Sequence, residues 1–250
     1  MKNKHGVLVF VMALAVSFLT MTESARSITI DTFDVTSHSI TATAVSSFPV
    51  SSTILASEAI GGFRTLEILS VTGSSKATLE VITGGLGLLA LSNAFNTSST
   101  ARVTWDANGV DGGGLGGVDL TESGNSDSIG LQLFDIDQGN VSLTVTIFET
   151  SGAGGSFASL LLPSAVLGQN VFEFNTFTNF ADVSFNLVNK ITLDIAAGTA
   201  SDLAVDFFET LENPIIPEPA TVGLLGIGLA GLGSVYLRRK YRRSKKQQCK

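Results

Sequence analysis

Between residues 28 and 217 the chain alternates apolar and polar side chains with a period of two. Val141, Leu143, Val145 and Ile147 are separated by Ser142, Thr144 and Thr146; Ile191, Leu193 and Ile195 by Thr192 and Asp194; Leu203, Val205 and Phe207 by Ala204 and Asp206. Successive side chains of an extended strand point to opposite faces, so each such segment buries one face and wets the other. Similar runs cover Ile28 to Val35, Ser39 to Val45, Phe63 to Val71, Ala77 to Thr83, Arg102 to Asp106, Ile129 to Asp135 and Val183 to Val188, with Gly, Asn, Ser and Asp clusters between them. No long stretch follows the helical period. Roughly ten to twelve short strands at this spacing predict an all-β fold, an antiparallel β-sandwich of jelly-roll-like form.

Both ends break the period. Lys2 and Lys4 precede an apolar stretch from Val7 to Met21, and Ala25-Arg26-Ser27 places small residues three and one before Ile28. This predicts a secretory signal peptide over 1–27, read by the secretion translocon and cut by signal peptidase before Ile28; the alternative is an uncleaved N-terminal anchor, and either exports the body. At the other end Ala220 to Leu237 are eighteen residues without a charge. A helix of that length rises about 27 Å, close to the ~30 Å hydrocarbon core of a bilayer. Pro217 and Pro219 lack backbone donors and push the residues before them toward extended geometry, so a membrane helix is expected to start after Pro219. Gly226, Ala230 and Ser234, four apart, give it a smooth face for packing against another helix. Eight of the fifteen Lys and Arg follow Leu237, among them Arg238, Arg239, Lys240, Arg242 and Arg243. Cations beside a span stay cytoplasmic, which puts the body outside.

On physical grounds that C-terminal segment fits a permanent anchor as well as a transient sorting signal. Ile216-Pro217-Glu218-Pro219-Ala220-Thr221, the Gly/Leu-rich run and the basic cluster together resemble the PEP-CTERM sorting signal of Gram-negative and related bacteria, also catalogued under an ice-binding-protein C-terminal name. The resemblance covers residues 214–250, with Pro217, Glu218 and Pro219 as the motif, 220–237 as the transmembrane helix and 238–250 as the basic tail. It implies recognition by a membrane-embedded exosortase that cleaves near Pro-Glu-Pro, membrane anchoring before processing, and a final cell-surface or extracellular location, often alongside exopolysaccharide. It does not imply that the body binds ice. Gly61-Gly62-Phe63-Arg64, Trp105-Asp106-Ala107-Asn108-Gly109 and Gly117-Val118-Asp119-Leu120 are similar to segments in the ectodomains of other exported proteins with this signal, which carries over no activity.

Charge sharpens the picture of the body. Residues 28–217 hold four basic side chains, Arg64, Lys76, Arg102 and Lys190, against twenty acids, a net of −16 that the whole-chain value of −7 conceals. Nucleic-acid binding depends on cationic neutralisation of phosphates, so no nucleic-acid partner is expected. The one cysteine, Cys249, lies in the tail, and the body over 28–213 must be stable without disulfides.

Catalytic chemistry has little to work with. His38 is the only histidine after His5 leaves with the signal peptide, and no nucleophile elbow exists for a triad; it reads as a surface or edge-strand histidine. Paired carboxylates could serve glycoside hydrolysis, but twenty acids make pairs by chance, and sugar clefts favour Trp and Tyr, which the body lacks apart from Trp105. Trp105 reads as a strand-end core residue whose indole N–H finds a turn carbonyl, the alternative being a sugar-stacking platform. Phe172, Phe174, Phe177, Phe180, Phe185, Phe207 and Phe208 are expected to fill the space between the sheets. Asp106 to Ser128 is the longest irregular segment and the loop candidate for function. Calcium takes oxygen ligands from Asp, Asn and carbonyls on turns, and two segments supply them: Asp106, Asn108 and Asp111, and Asp135 and Asp137. Neither has the spacing of an EF-hand loop, and the alternative for each is a hydrogen-bonded Asx turn, which Asp, Asn and Gly form without metal. The sequence therefore predicts a non-catalytic exported surface or matrix protein, the alternatives being a calcium-dependent glycan-binding module or a carbohydrate-active hydrolase.

Overall fold

The two-residue period becomes thirteen strands among the residues that the computed structural model describes, 27–85, 87–107, 114–137, 140–149 and 155–212. The expected signal peptide up to Arg26, the Pro-Glu-Pro motif, the helix over 220–237 and the basic tail lie outside these residues, as do Asn108 and Asp111. In chain order the strands are β1 (Thr29–Asp31), β2 (His38–Thr43), β3 (Val50–Leu55), β4 (Phe63–Gly73), β5 (Lys76–Ile82), β6 (Leu88–Asn93), β7 (Thr97–Trp105), β8 (Ser126–Ile136), β9 (Val141–Phe148), β10 (Phe157–Leu162), β11 (Gly168–Glu173), β12 (Lys190–Ala197) and β13 (Asp202–Glu212).

They form two antiparallel sheets. One runs β11-β8-β13-β6-β5-β2, with β1 continuing the β6 side of β13; the other runs β10-β9-β12-β7-β4-β3. The inward rows meet as one core: Leu79, Leu91, Leu131, Leu133 and Val205 from the first sheet, and Leu66, Ile68, Val103, Val145 and Leu193 from the second, all at most 1 % exposed. Burial of this apolar area is the dominant favourable contribution to folding. Among the described residues no helix is long and apolar enough to cross a membrane.

Several expectations change. In β13 the register against β8 slips between Val205 and Phe207, so Asp206 is an extra residue and Phe208, not Phe207, turns into the core. Val183–Val188 is not a strand: it is an irregular segment in which Val188 alone bridges to Val118. Val183, Phe185 and Val188 are buried there, and Phe185 packs against Phe174, Phe177 and Phe180 at centroid distances of 4.6, 5.5 and 5.5 Å. These aromatics gather under the irregular connections 174–188, while Phe172 and Phe208 are the ones fully buried in the strands. Strands β3, β6, β10 and β11 were not expected. The segment 106–128 ends in strand from Ser126, and its described part over 119–125 is a tight turn. One further contact matters at the margin of the second sheet: on β10, Ser159 exchanges both backbone hydrogen bonds with Thr178, at 3.3 and 2.9 Å.

Candidate functional site

The outer face of the six-stranded sheet carries many short hydroxyl side chains beside Glu67, Arg102, Asp194, Lys190, Phe148 and Phe157, because Ser and Thr supply much of the polar half of its strands; of these hydroxyl side chains, Thr104, Thr146 and Thr192 are buried. Cross-strand register lines them up. Thr53 faces Thr65, Thr65 faces Thr104, Thr104 faces Thr192, Thr192 faces Thr146, and Thr146 faces Ser159, one row crossing all six strands. Strands lie about 4.8 Å apart, so hydroxyl groups recur at that interval. Thr53 and Thr65 share a hydrogen bond of 2.7 Å. Lys190, Phe148 and Phe157 border the row on one side, with the Lys190 ammonium 3.9 Å from the Phe148 ring centre. Its desolvation there lowers the Lys190 pKa.

Bordering the row on the other side, Glu67, Arg102 and Asp194 stand opposite one another on β4, β7 and β12. Arg102 grips Asp194 with both ends of the guanidinium, Nε to Oδ1 at 2.6 Å and Nη2 to Oδ2 at 3.2 Å. This hydrogen-bonded pairing raises the Arg102 pKa and fixes two long side chains as a polar wall. Beyond the wall the floor drops, since Ser70, Thr100, Ala196 and Ser142 are small. Two shallow depressions of 400 and 250 Å³ meet there, sharing Thr100, Ser142 and Ala196. Ser70 and Thr100 hydroxyls are 2.6 Å apart. A bulge at Leu69 keeps Ser70 on this face while Val71 stays in the core. The lining offers many neutral hydrogen-bond groups, and Asp194 is its one carboxylate among the described residues.

The sequence-stated chemistry falls elsewhere. His38 is a correction to a surface placement: it sits on edge strand β2 but is only 7 % exposed, with neither ring nitrogen hydrogen-bonded. Burial, and then the charge of Arg64, lower its pKa from 6.5 to about 4, so it is a neutral core group. Trp105 is fully buried, and its indole N–H donates at 2.8 Å to Asp31 Oδ2, a carboxylate instead of a turn carbonyl. Arg64, also fully buried, donates to both Asp31 oxygens at 2.7 and 2.8 Å and to Glu58 at 2.9 Å. Gly61 lies so close to Ala107 that an added Cβ would be 2.8 Å from its Cα. Two segments that carried the ectodomain resemblance, around Arg64 and Trp105, thus meet in one buried clasp. Nothing in the sequence links them to Asp31.

Of the calcium candidates, Asp106 follows β7 within electrostatic reach of Lys190. Asp135 is exposed near the end of β8, and Asp137 is exposed with its N–H on the Asp202 carbonyl at 3.0 Å. Among the described residues no three Asp, Glu, His or Cys side chains converge as a metal site. A separate cavity of 420 Å³ opens beside the 119–125 turn, where Phe174, Phe180 and Phe185 meet Thr121, Ser126 and Asp127.

The family model for the PEP-CTERM protein-sorting motif matches residues 216–240, and the chain carries that motif. No curated protein matches the chain. Among solved structures it is similar to a family 11 carbohydrate-binding module from Clostridium thermocellum in complex with a β-1,3-1,4-mixed-linked tetrasaccharide, at 12 % identity over 76 % of this chain and 98 % of that one, TM-score 0.37. It is also similar to a metagenome-derived family 12 endoglucanase, at 10 % identity over 72 % and 100 %, TM-score 0.41. A third is the family 12 xyloglucanase of Bacillus licheniformis, at 8 % identity over 70 % and 100 %, TM-score 0.36.

Proposed function

We propose that this is an exported, non-catalytic protein of the cell surface or extracellular matrix. A signal peptide delivers it, the helix over 220–237 holds it in the membrane, and an exosortase processes it at Pro217-Glu218-Pro219. The observation that carries this reading is the sorting motif at 216–240. Its body, a jelly-roll-like sandwich, touches exopolysaccharide through the depressions on the outer face of the six-stranded sheet, around Ser70, Thr100 and Ser142. Sugars present hydroxyl groups that exchange hydrogen bonds with Ser, Thr, Asn and Arg, and a shallow polar surface suits a neutral polymer. The body's net charge of −16 repels an acidic one. Support for a non-catalytic role comes from the lining: glycoside hydrolysis needs two carboxyl groups across the sugar, and Asp194 is engaged with Arg102.

Intact mass and fractionation in a parent strain and one lacking its exosortase test the sorting. A mature form ending near Pro217 only in the parent is expected; a membrane-bound product retaining 238–250 in both strains rejects it. Affinity electrophoresis through neutral and acidic polysaccharides tests the contact. Retardation by a neutral polymer, abolished by Ala196→Arg, which fills the depression, is expected, and equal migration of the variant and the wild type rejects the face.

A further inference from the structure

Ile28, the residue expected to follow the signal-peptide cut, shares its one amide hydrogen between two partly buried acceptors in a three-centre bond. Its nitrogen lies 2.9 Å from Glu122 Oε1 and 2.7 Å from Thr210 Oγ1. A peptide N–H carries one hydrogen, whereas two acceptors face it. The Thr210 hydroxyl spends its own hydrogen on Glu122 Oε1, at 2.5 Å, and so presents only lone pairs to Ile28. From the other direction, the Thr210 N–H donates to the Ile28 carbonyl at 2.9 Å, which docks this residue against β13.

Glu122 reaches that position by an unusual backbone. It and Ser123 adopt φ of 50° and 60°, the left-handed region, which is strained for a residue with a Cβ and persists only when neighbours hold it. Asp119 does the holding: its carboxylate accepts from the Thr121 N–H and hydroxyl at 2.9 and 2.6 Å and from the Ser123 N–H at 2.9 Å. Those hydrogen bonds keep the Asp119 pKa low, against the effect of its partial burial, which alone would raise it. The turn around Asp119 therefore aims one carboxylate at one nitrogen.

We infer that this is the socket for the mature N-terminus. Hydrolysis of the Ser27–Ile28 bond adds one water, leaves a carboxylate on Ser27 and releases an α-amine on Ile28, which takes up a proton to become an ammonium. With three hydrogens it serves Glu122 and Thr210 together, and its charge, present at neutral pH, meets the carboxylate. Cleavage thus completes an ion pair that ties β1 to the 119–125 turn. This rests on export and on cleavage before Ile28.

Full-length protein is produced in a secretion-competent host, extracted in detergent and sequenced from its N-terminus. A chain beginning at Ile28 is expected. Its α-amine is then acylated at pH 7 in the native and the urea-unfolded protein, with exposed Lys76 as the internal clock. A charge-assisted hydrogen bond of this kind is expected to slow the native reaction about tenfold or more, and Glu122→Gln to remove most of that protection. A chain beginning elsewhere overturns the cleavage and the pairing together. A chain beginning at Ile28 whose amine reacts as fast native as unfolded overturns the pairing alone, and that comparison needs no variant to fold.

Discussion

At the residue scale the feature with the largest consequence is Asp31. Its two oxygens accept from Arg64 Nε and Nη2, from the Trp105 indole and from the Phe33 N–H at 3.0 Å. Glu58 completes the pairing and also accepts from Thr36 N–H and Oγ1. Ions removed from water carry a large desolvation cost, so the cluster as a whole is weak evidence for net stability, whereas removing Asp31 leaves Arg64 with Glu58 alone and strips Arg64 Nε, the Trp105 indole and the Phe33 N–H of their buried acceptor. Asp31→Ala is therefore expected to destabilise by about 3–5 kcal/mol in urea unfolding at pH 7. Trp105→Phe removes one donor from a carboxylate that keeps others, and about 1–3 kcal/mol is expected. In the sequence Arg64 and Trp105 stand out, one as a rare cation and one as the only Trp. Their common partner does not, because Asp31 is 33 and 74 residues away from them and looks like any other acid on an acidic chain.

At the element scale, period two was legible where apolar and polar residue types themselves alternate, as in β5, β9 and β12. It was not legible in β10, whose Phe-Ala-Ser-Leu-Leu-Leu lacks alternation, nor in β11, where one Val and one Phe stand among polar residues. Bulges are invisible for another reason: Asp206 and Leu69 are ordinary residues, and only the partner strand's register makes them extra. The hydroxyl row was half visible. Each strand showed its Ser or Thr positions, but their alignment into one line is a property of register between strands far apart in the chain. Glycine offers a controlled comparison here. Gly61 and Gly62 have φ of 74° and 75°, yet a Cβ at Gly61 would strike Ala107 while one at Gly62 meets nothing within 4 Å. Gly62→Ala should cost about 1–2 kcal/mol for its backbone. Gly61→Ala should add about 1–3 kcal/mol of overpacking. Thermal unfolding of the two variants, each against wild type, measures the difference.

At the scale of the whole molecule, the net charge of −16 on the body and the buried His38 act in opposite directions as pH falls. Protonating carboxylates relieves self-repulsion. His38, with a folded pKa of about 4 against 6.5 unfolded, binds its proton more readily in the unfolded chain, so stability drops as pH falls from 6.5 to 4. For Glu58 burial alone would raise the pKa, but hydrogen bonds from its own N–H, Thr36 and Arg64 outweigh it. The net lowering makes the fold lose stability as pH passes below the ordinary carboxylate value. Denaturant unfolding across pH 4 to 7 is expected to show a shallower slope for His38→Leu than for wild type; parallel slopes would mean that the histidine is not the titrating group.

The contact between Ser159 and Thr178 reaches further than its two hydrogen bonds. The Phe157–Leu162 strand ends its sheet, carries no charge, and leaves Phe157 and Leu161 about half exposed. Bare margins of that kind template the addition of a neighbouring molecule's strand, and molecules crowded on one surface meet often. With Thr178 already in the middle position, an incoming strand must first displace a segment of the same chain. On the proposed function, a coat of these molecules would then be held together by what its members bind, not by fibrillar growth from one member to the next.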